Sequence, residues 1–380
     1  MENEKIIYLD NNATTPIKPE VLDAMLPYFK EKFYNPSSAY SYGQEVAAEV
    51  EEARKFFAES INAESPEEIY FVSCGSEANN WAIRGLDAKN LCVITDTFEH
   101  HSVLNAVEAC DRFYYSGIDP KKGEIVPANV KATINYALNE EKTDNMLISS
   151  MWINNELGTI QPIKEISELA KLYTAYFHVD AVQAYGKIPI DVRKNKIDML
   201  SVSSHKIGAP RGSGFLYNKK GTPMKPLIYG GQQERHMRAG TENVAGIMGF
   251  KKAAEIALAN MQKNEEKLKE LNTYFRKLLD NYINASIING NMYTFPNTIS
   301  VDFGVNAEAM MAHLNEFGIC VSSGSACNSK DGKPSHVLKA ICLTDEEAGR
   351  VIRFSLSPDI TKEDLDYTVQ VIEQGLGAFV

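Results

Sequence analysis

Short apolar runs alternate with stretches of helical period along most of this chain. Ile69-Tyr70-Phe71-Val72, Leu91-Cys92-Val93-Ile94-Thr95, Met146–Met151, Tyr176-Phe177-His178-Val179 and Asp198-Met199-Leu200-Ser201-Val202 each predict a buried strand, and Ile6-Ile7-Tyr8-Leu9 a shorter one. Between Gly43 and Ile61, apolar residues at 46, 50, 53, 57 and 61 repeat with the period of an amphipathic helix. Further helices are predicted over Ala78–Gly85 and Ile163–Tyr173, and one opens at Pro19 and is interrupted at Pro27. From Asn243 to about Ile283 the helical period runs so long that it predicts a broken or bent helix linking two domains. Beyond it, strands near Asn297–Phe303 and Val351–Leu356 flank helices near Ala307–Phe317 and Ser335–Ile341. The pattern is that of an α/β protein followed by a smaller α+β domain.

Polar residues gather at the carboxyl ends of the predicted strands, where open α/β sheets bind their ligands. Ser73-Cys74-Gly75-Ser76-Glu77 leads from a strand into a helix, which places free N–H groups and a positive dipole end at one point, as in a phosphate cradle. The same turn reads equally well as an ordinary helix start capped by Ser76. Glu99-His100-His101 follows the next strand, where His100 could stack on a ring held at the same edge. A lysine at a strand end, such as Lys206, is usually a solvated residue. Its neighbours change that weighting. Ser203 and His205 alternate along an extended chain and so point the same way, as an anion site requires. Asp180 ends the preceding strand, with Gln183 after it. A lysine for an imine and an aspartate for a pyridinium nitrogen are what pyridoxal phosphate asks of a protein. Asp10-Asn11-Asn12-Ala13-Thr14-Thr15 reads only as a turn.

Composition narrows the classes. A length of 380 residues allows two or three domains. The net charge of −11, without a basic stripe, argues against direct nucleic-acid binding. The start, Met1-Glu2-Asn3-Glu4-Lys5, lacks a signal-peptide core, and no apolar run approaches the ~18 residues of a membrane span. Six cysteines without a C-x-x-C pair fit a reduced, cytoplasmic protein, and no metal site is expected. Cys327 stands apart in a loop of small and polar residues; composition alone leaves it either a reactive or a bystander thiol.

The loop Ser322-Ser323-Gly324-Ser325-Ala326-Cys327 resembles the active-cysteine loop of the first group of cysteine desulfurases. Further marks of that family follow in order: Tyr8–Thr15, Glu77-Ala78-Asn79-Asn80, Glu99-His100, Asn154-Asn155-Glu156, His178-Val179-Asp180-Ala181, Ser203-Ser204-His205-Lys206 and Arg353-Phe354-Ser355. The resemblance spans nearly the whole chain. It implies a fold-type-I pyridoxal 5'-phosphate transferase with a large domain, residues 16–255, built on a mostly parallel mixed sheet. Residues 1–15 and 256–380 would form the small domain that carries the cysteine loop.

The activity implied is conversion of L-cysteine to L-alanine, with sulfur left as a persulfide on Cys327. Lys206 would hold the cofactor covalently and move the Cα proton, Asp180 would pair with the ring nitrogen, and Gln183 would bond the ring oxygen. His100 would stack on the ring and assist proton transfer. Gly75, Ser76, Ser203 and His205 would bind the phosphate, with Thr241 reaching over from the other subunit of a homodimer. Asn155, beside the cofactor, and Arg353 would hold the substrate carboxylate. The sulfur would pass to an acceptor or iron–sulfur scaffold protein. Departures are Cys74 for the usual glycine, Ser76 for threonine and Ala239 for serine, and the chain ends soon after its last helix. If position 74 needs a positive φ, cysteine is strained there. A selenocysteine lyase is the near alternative, and Cys327 in its motif argues against an exclusive one. A catalytically dead sulfur-transfer scaffold is the distant alternative, against which Lys206, Asp180, His100 and Cys327 speak.

Overall fold

The computed structural model describes residues 5–143, 145–283, 285–290, 292–324 and 334–379. A seven-stranded sheet organises the larger part. Its order is Ile69–Val72, Gly214–Asn218, Met199–Ser203, Tyr176–Asp180, Met146–Met151, Cys92–Asp96, Phe113–Ser116. Only Gly214–Asn218 runs antiparallel to its neighbours, so the sheet is mixed but mostly parallel. That strand lies close against its neighbour: a Cβ at Gly214 would meet the Val202 carbonyl oxygen at 2.5 Å, which only glycine avoids.

The strands read as near-continuous apolar runs because both faces are covered. On one face Val72, Val93, Leu147, Met199 and Leu216 pack with Ala78, Trp81 and Val103 of the helices Gly75–Arg84 and His101–Glu108. On the other, Phe71, Ile94, Ile148, Phe177 and Phe215 pack with the helices Ser41–Ser60, Pro127–Glu141, Ile163–Leu172 and Val244–Ala259. Phe57 is fully buried there, with its ring centroid 5.2 Å from Phe215 and 4.5 Å from Phe250. Truncating it to alanine would cost roughly 3–5 kcal/mol.

The long helical stretch is two helices, Val244–Ala259 and Met261–Leu278, meeting at Asn260. Beyond it, Thr298–Asp302 pairs antiparallel with Ser286–Ile287 and with Val351–Ser355. The N-terminal strand Ile7–Tyr8 joins this half of the molecule, pairing in parallel with Ile319–Cys320. Asp10 then bridges to Ser355, and Ser322 to Arg353. The chain start and the Arg353 strand are therefore brought to the carboxyl edge of the large sheet together. No described helix is long and apolar enough to cross a membrane.

Candidate active site

The parallel strands end at Val72, Asp96, Met151, Asp180 and Ser203, and the polar residues that follow them meet in a cavity of about 240 Å³. Gly75, Ser76, His100 and Asn155 line it from the loops after the strands ending at Val72, Asp96 and Met151, and Asp180 from the end of its own strand. Gln183, Ser203, His205, Lys206 and Arg353 also line it, as do Asn12, Ala13, Cys74 and Asn79. Thr241 does not line it; it lies exposed in the loop after Gly240. Cys327 falls at 325–333, outside the described residues.

Lys206 ends the single 3₁₀ turn Ser204–Lys206 that follows its strand. Its Nζ donates to the backbone oxygens of Asn12 at 2.6 Å and Ala13 at 2.8 Å. Asp180 accepts from the Val182 N–H at 2.9 Å and from Asn79 Nδ2 at 2.8 Å. Burial raises its carboxyl above the usual range, opposed by those two donors and by the Lys206 charge. A protonated ring nitrogen set against it would offset that burial cost. His100 caps the helix His101–Glu108: its Nδ1 accepts from the Ser102 N–H at 3.1 Å, which places the neutral ring's proton on Nε2. Burial, then the charges of Lys206, His101 and His336, lower its pKa to about 4.

The anion side of the cavity starts at Gly75, where a Cβ would meet Val182 Cγ2 at 2.7 Å. The N-cap position is Cys74, not Ser76; it makes no side-chain capping bond, and it has φ −172°, extended backbone that any residue adopts. Cysteine is therefore unstrained where a positive φ would have penalised it. Ser76 stands in the first turn, whose N–H groups have no intrahelical partner. Beside it the Ser203 hydroxyl is buried without a hydrogen-bond partner, as a donor kept for an absent anion would be. His205 Nδ1 lies 3.1 Å from Thr14 Oγ1, and burial with the Lys206 and Arg211 charges lowers its pKa to about 4.

Arg353 is almost wholly buried. Its Nη1 donates to the Asn155 carbonyl at 2.9 Å and its Nη2 to Asp10 Oδ1 at 2.6 Å, while Nε has no partner. An anionic phosphate group, a ring nitrogen facing Asp180 and an amino acid carboxylate facing Arg353 all find matching groups here. Pyridoxal phosphate fits this residue set.

Four residues without an assigned role in the sequence belong to the site. Asn12 and Ala13 act through backbone carbonyls, which residue type does not reveal. Asn79 lies four residues after Gly75 on one helix, a spacing that shares a face and would have pointed to it. Lys187, four residues after Gln183, donates to Gln183 Oε1 at 2.8 Å. Burial, then the charges of Lys206 and Arg353, lower its pKa to about 7.

The residues flanking 325–333 are held to Arg353 in this wall and to Glu99 and Glu156, the chain neighbours of His100 and Asn155. Ser322 pairs with the Arg353 backbone, and Gly324, at φ +117°, lies against Glu156. Ser335 donates its hydroxyl to Glu156 Oε2, and His336 Nε2 lies 2.8 Å from the Glu99 carbonyl oxygen.

The sequence matches the family model Aminotransferase class-V over residues 7–368. It is 45% identical to the cysteine desulfurase IscS of Dictyoglomus turgidum, over 97% of this chain and 94% of that protein. The fold resembles a solved NifS-like protein with TM-score 0.89 at 34% identity, covering 98% of this chain and all of that one (100%). It also resembles SspA solved in complex with cysteine, with TM-score 0.80 at 34% identity, over 93% of this chain and 99% of that one. With nearly its whole length inside one family model, and a polar cavity at its sheet edge, the chain belongs to the class-V aminotransferase family, whose cofactor is pyridoxal 5'-phosphate.

Proposed function

We propose that the protein is a cysteine desulfurase that converts L-cysteine to L-alanine and passes the sulfur, as a persulfide on Cys327, to an acceptor protein for iron–sulfur cluster or thio-cofactor synthesis. The observation that carries this reading is the meeting of Lys206, Asp180 and Arg353 in one cavity, with the flanks of the 325–333 segment held to Arg353 and to Glu99 and Glu156 beside it. Pyridoxal phosphate supplies the electron sink that weakens the Cα–H bond of a bound amino acid. Asp180, held by Asn79 and Val182, balances the ring nitrogen. Gly75, Ser76, Ser203 and His205 receive the phosphate.

Arg353, with Asn155 behind it, takes the substrate carboxylate and so fixes which bond at Cα faces the lysine. The Lys206 amine, poised on the Asn12 and Ala13 carbonyls, moves the Cα proton. Neutral His100, with its Nε2–H free of the Ser102 contact, flanks that transfer. The Cys327 thiolate attacks the substrate sulfur; the S–S bond forms as the C–S bond breaks, and protonation of the carbon left behind gives alanine.

A two-fold homodimer completes the reading, with Thr241 of one subunit meeting the phosphate of the other. The exposure of Thr241, and of Phe29, Phe33, Tyr40 and Tyr229, supports a surface covered by a second copy. The described cysteines are all free, in keeping with a reduced cytoplasmic setting. The reading is tested by supplying L-cysteine and a thiol reductant and following products. Equal amounts of alanine and sulfide are expected; transfer of the amino group to a 2-oxo acid without sulfide would make the protein an aminotransferase instead.

A further inference from the structure

We propose that Lys187 is a positioning residue that locks the Gln183 amide with its NH₂ group turned toward the cofactor cavity. The proposal rests on the reading of Gln183 as the partner of the cofactor's ring oxygen.

A glutamine amide can be turned end for end with almost no change in shape, so its neighbours must choose which end faces a ligand. Gln183 is 5% exposed and its neighbours agree. On one side Lys187 Nζ donates to Oε1 at 2.8 Å. On the other, Gln183 Nε2 donates to the Asn12 carbonyl at 2.9 Å. Protonated, Lys187 offers only donors, and a carbonyl only accepts, so both contacts would be lost in the reversed amide.

Asn12 cannot adapt to a reversed amide, because its own side chain is fixed. Its Nδ2 donates to Thr298 Oγ1 at 2.8 Å and to the Asn155 carbonyl at 3.1 Å. Its Oδ1 accepts from Asn297 at 2.8 Å and lies 3.4 Å from Lys187 Nζ. Two acceptor oxygens thus converge on the Lys187 nitrogen. The Asn12 carbonyl also receives Lys206, so the ring-oxygen contact and the cofactor-bearing lysine share one anchor.

The local chain explains how a lysine reaches this place. Gln183 and Lys187 are one turn apart in a helical turn closed by Tyr185 N–H to Ala181 O and Lys187 N–H to Ala184 O. Gly186, at φ +74° with Ile207 and Ala257 close by, ends that turn. The Lys187 stem then lies in the wall of a second cavity of about 410 Å³, with Phe295 and Leu268. An apolar side chain of similar length can occupy that wall, which makes Lys187→Met a mild change in shape.

The test uses the holoenzyme and two readouts other than turnover: the dissociation constant for pyridoxal phosphate and the position of the bound cofactor's visible absorption band. Lys187→Met is expected to weaken cofactor binding about tenfold, as loss of one charge-assisted hydrogen bond would, and to shift the band. Lys187→Arg, which keeps the donor, should restore the wild-type band. Gln183→Ala should shift the band alone, and adding Lys187→Met to it should change nothing more. If Lys187→Met does not fold, Lys187→Ala takes its place with the same expected result. An unmoved band in Lys187→Met, or a double variant weakened by the product of the single effects, overturns the proposal. A Gln183→Ala protein with wild-type band and affinity overturns the reading of Gln183, and the proposal with it.

Discussion

The ammonium nitrogen of Lys206 donates to the backbone carbonyl of Asn12 at 2.6 Å, although the two residues stand 194 positions apart in the chain. The Ala13 carbonyl takes a second bond, and the Gln183 amide shares the Asn12 oxygen. A polar turn near the chain start thus aims the lysine that follows the Met199–Ser203 strand. Lys187 is the rival amine: it is near the same turn, and burial has lowered its pKa to about 7. Borohydride reduction of the holoenzyme, followed by peptide mapping, should find the cofactor on Lys206. An adduct on Lys187 would contradict the site.

The Arg353–Asp10 pair fixes the group expected to hold the substrate carboxylate. Its side chains are 2% and 16% exposed, so the guanidinium depends on Asp10 for its counter-charge. Asp10→Asn should lower stability by about 3 kcal/mol, because an unpaired charge is left in the interior. Urea denaturation measures it; a loss below about 0.5 kcal/mol, the size of an ordinary surface change, would contradict the pair's importance.

Acid should act on this protein through buried imidazoles. Ser149 Oγ and Ser201 Oγ each lie 2.9 Å from a ring nitrogen of His178, and burial lowers its pKa to about 3. His100 and His205 are lowered to about 4. In the unfolded chain all three take up protons near pH 6.5. Between that pH and about 4 the unfolded state therefore binds more protons, so stability falls as pH falls through this window. In the cofactor-free protein, the NMR signals of these three rings should remain those of neutral imidazole at pH 5. A His178 signal with a midpoint near pH 6.5 would contradict the burial argument.

The large sheet was legible because its strands are short, apolar and followed by polar residues. Asp180 and Lys206 could be read from those ends, since their side chains carry the chemistry. The long helical period from Asn243 was legible as a broken or bent helix, and only the place of the break, Asn260, comes from the fold. The strand Phe113–Ser116 was not predicted: it is the sheet's half-exposed edge and lacks a continuous apolar run. Gly214–Asn218 was hidden by the glycines that let it approach Met199–Ser203. The helix Pro127–Glu141 buries only Val130, Ile134 and Ala137, a stripe too thin to give a clear helical period. Within the site, Asn12 looked like a turn residue because its contribution is a carbonyl, and Asp10 met Arg353 only through strand pairing across 343 positions. Lys187 carries no signal in the sequence, because nothing in residue type shows that its side chain turns inward.

The central claim is that sulfur leaves cysteine through a covalent bond to Cys327. Cys74 is the thiol that tests it, because Cys74 lines the cofactor cavity itself. The measurement is peptide mass after a brief exposure of the holoenzyme to L-cysteine, in wild type and in Cys327→Ser. The account predicts the mass of one added sulfur on the wild-type peptide containing Cys327, with alanine release from the serine variant near background and its cofactor band unchanged. Added sulfur on Cys74, or alanine made by Cys327→Ser at the wild-type rate, would contradict it.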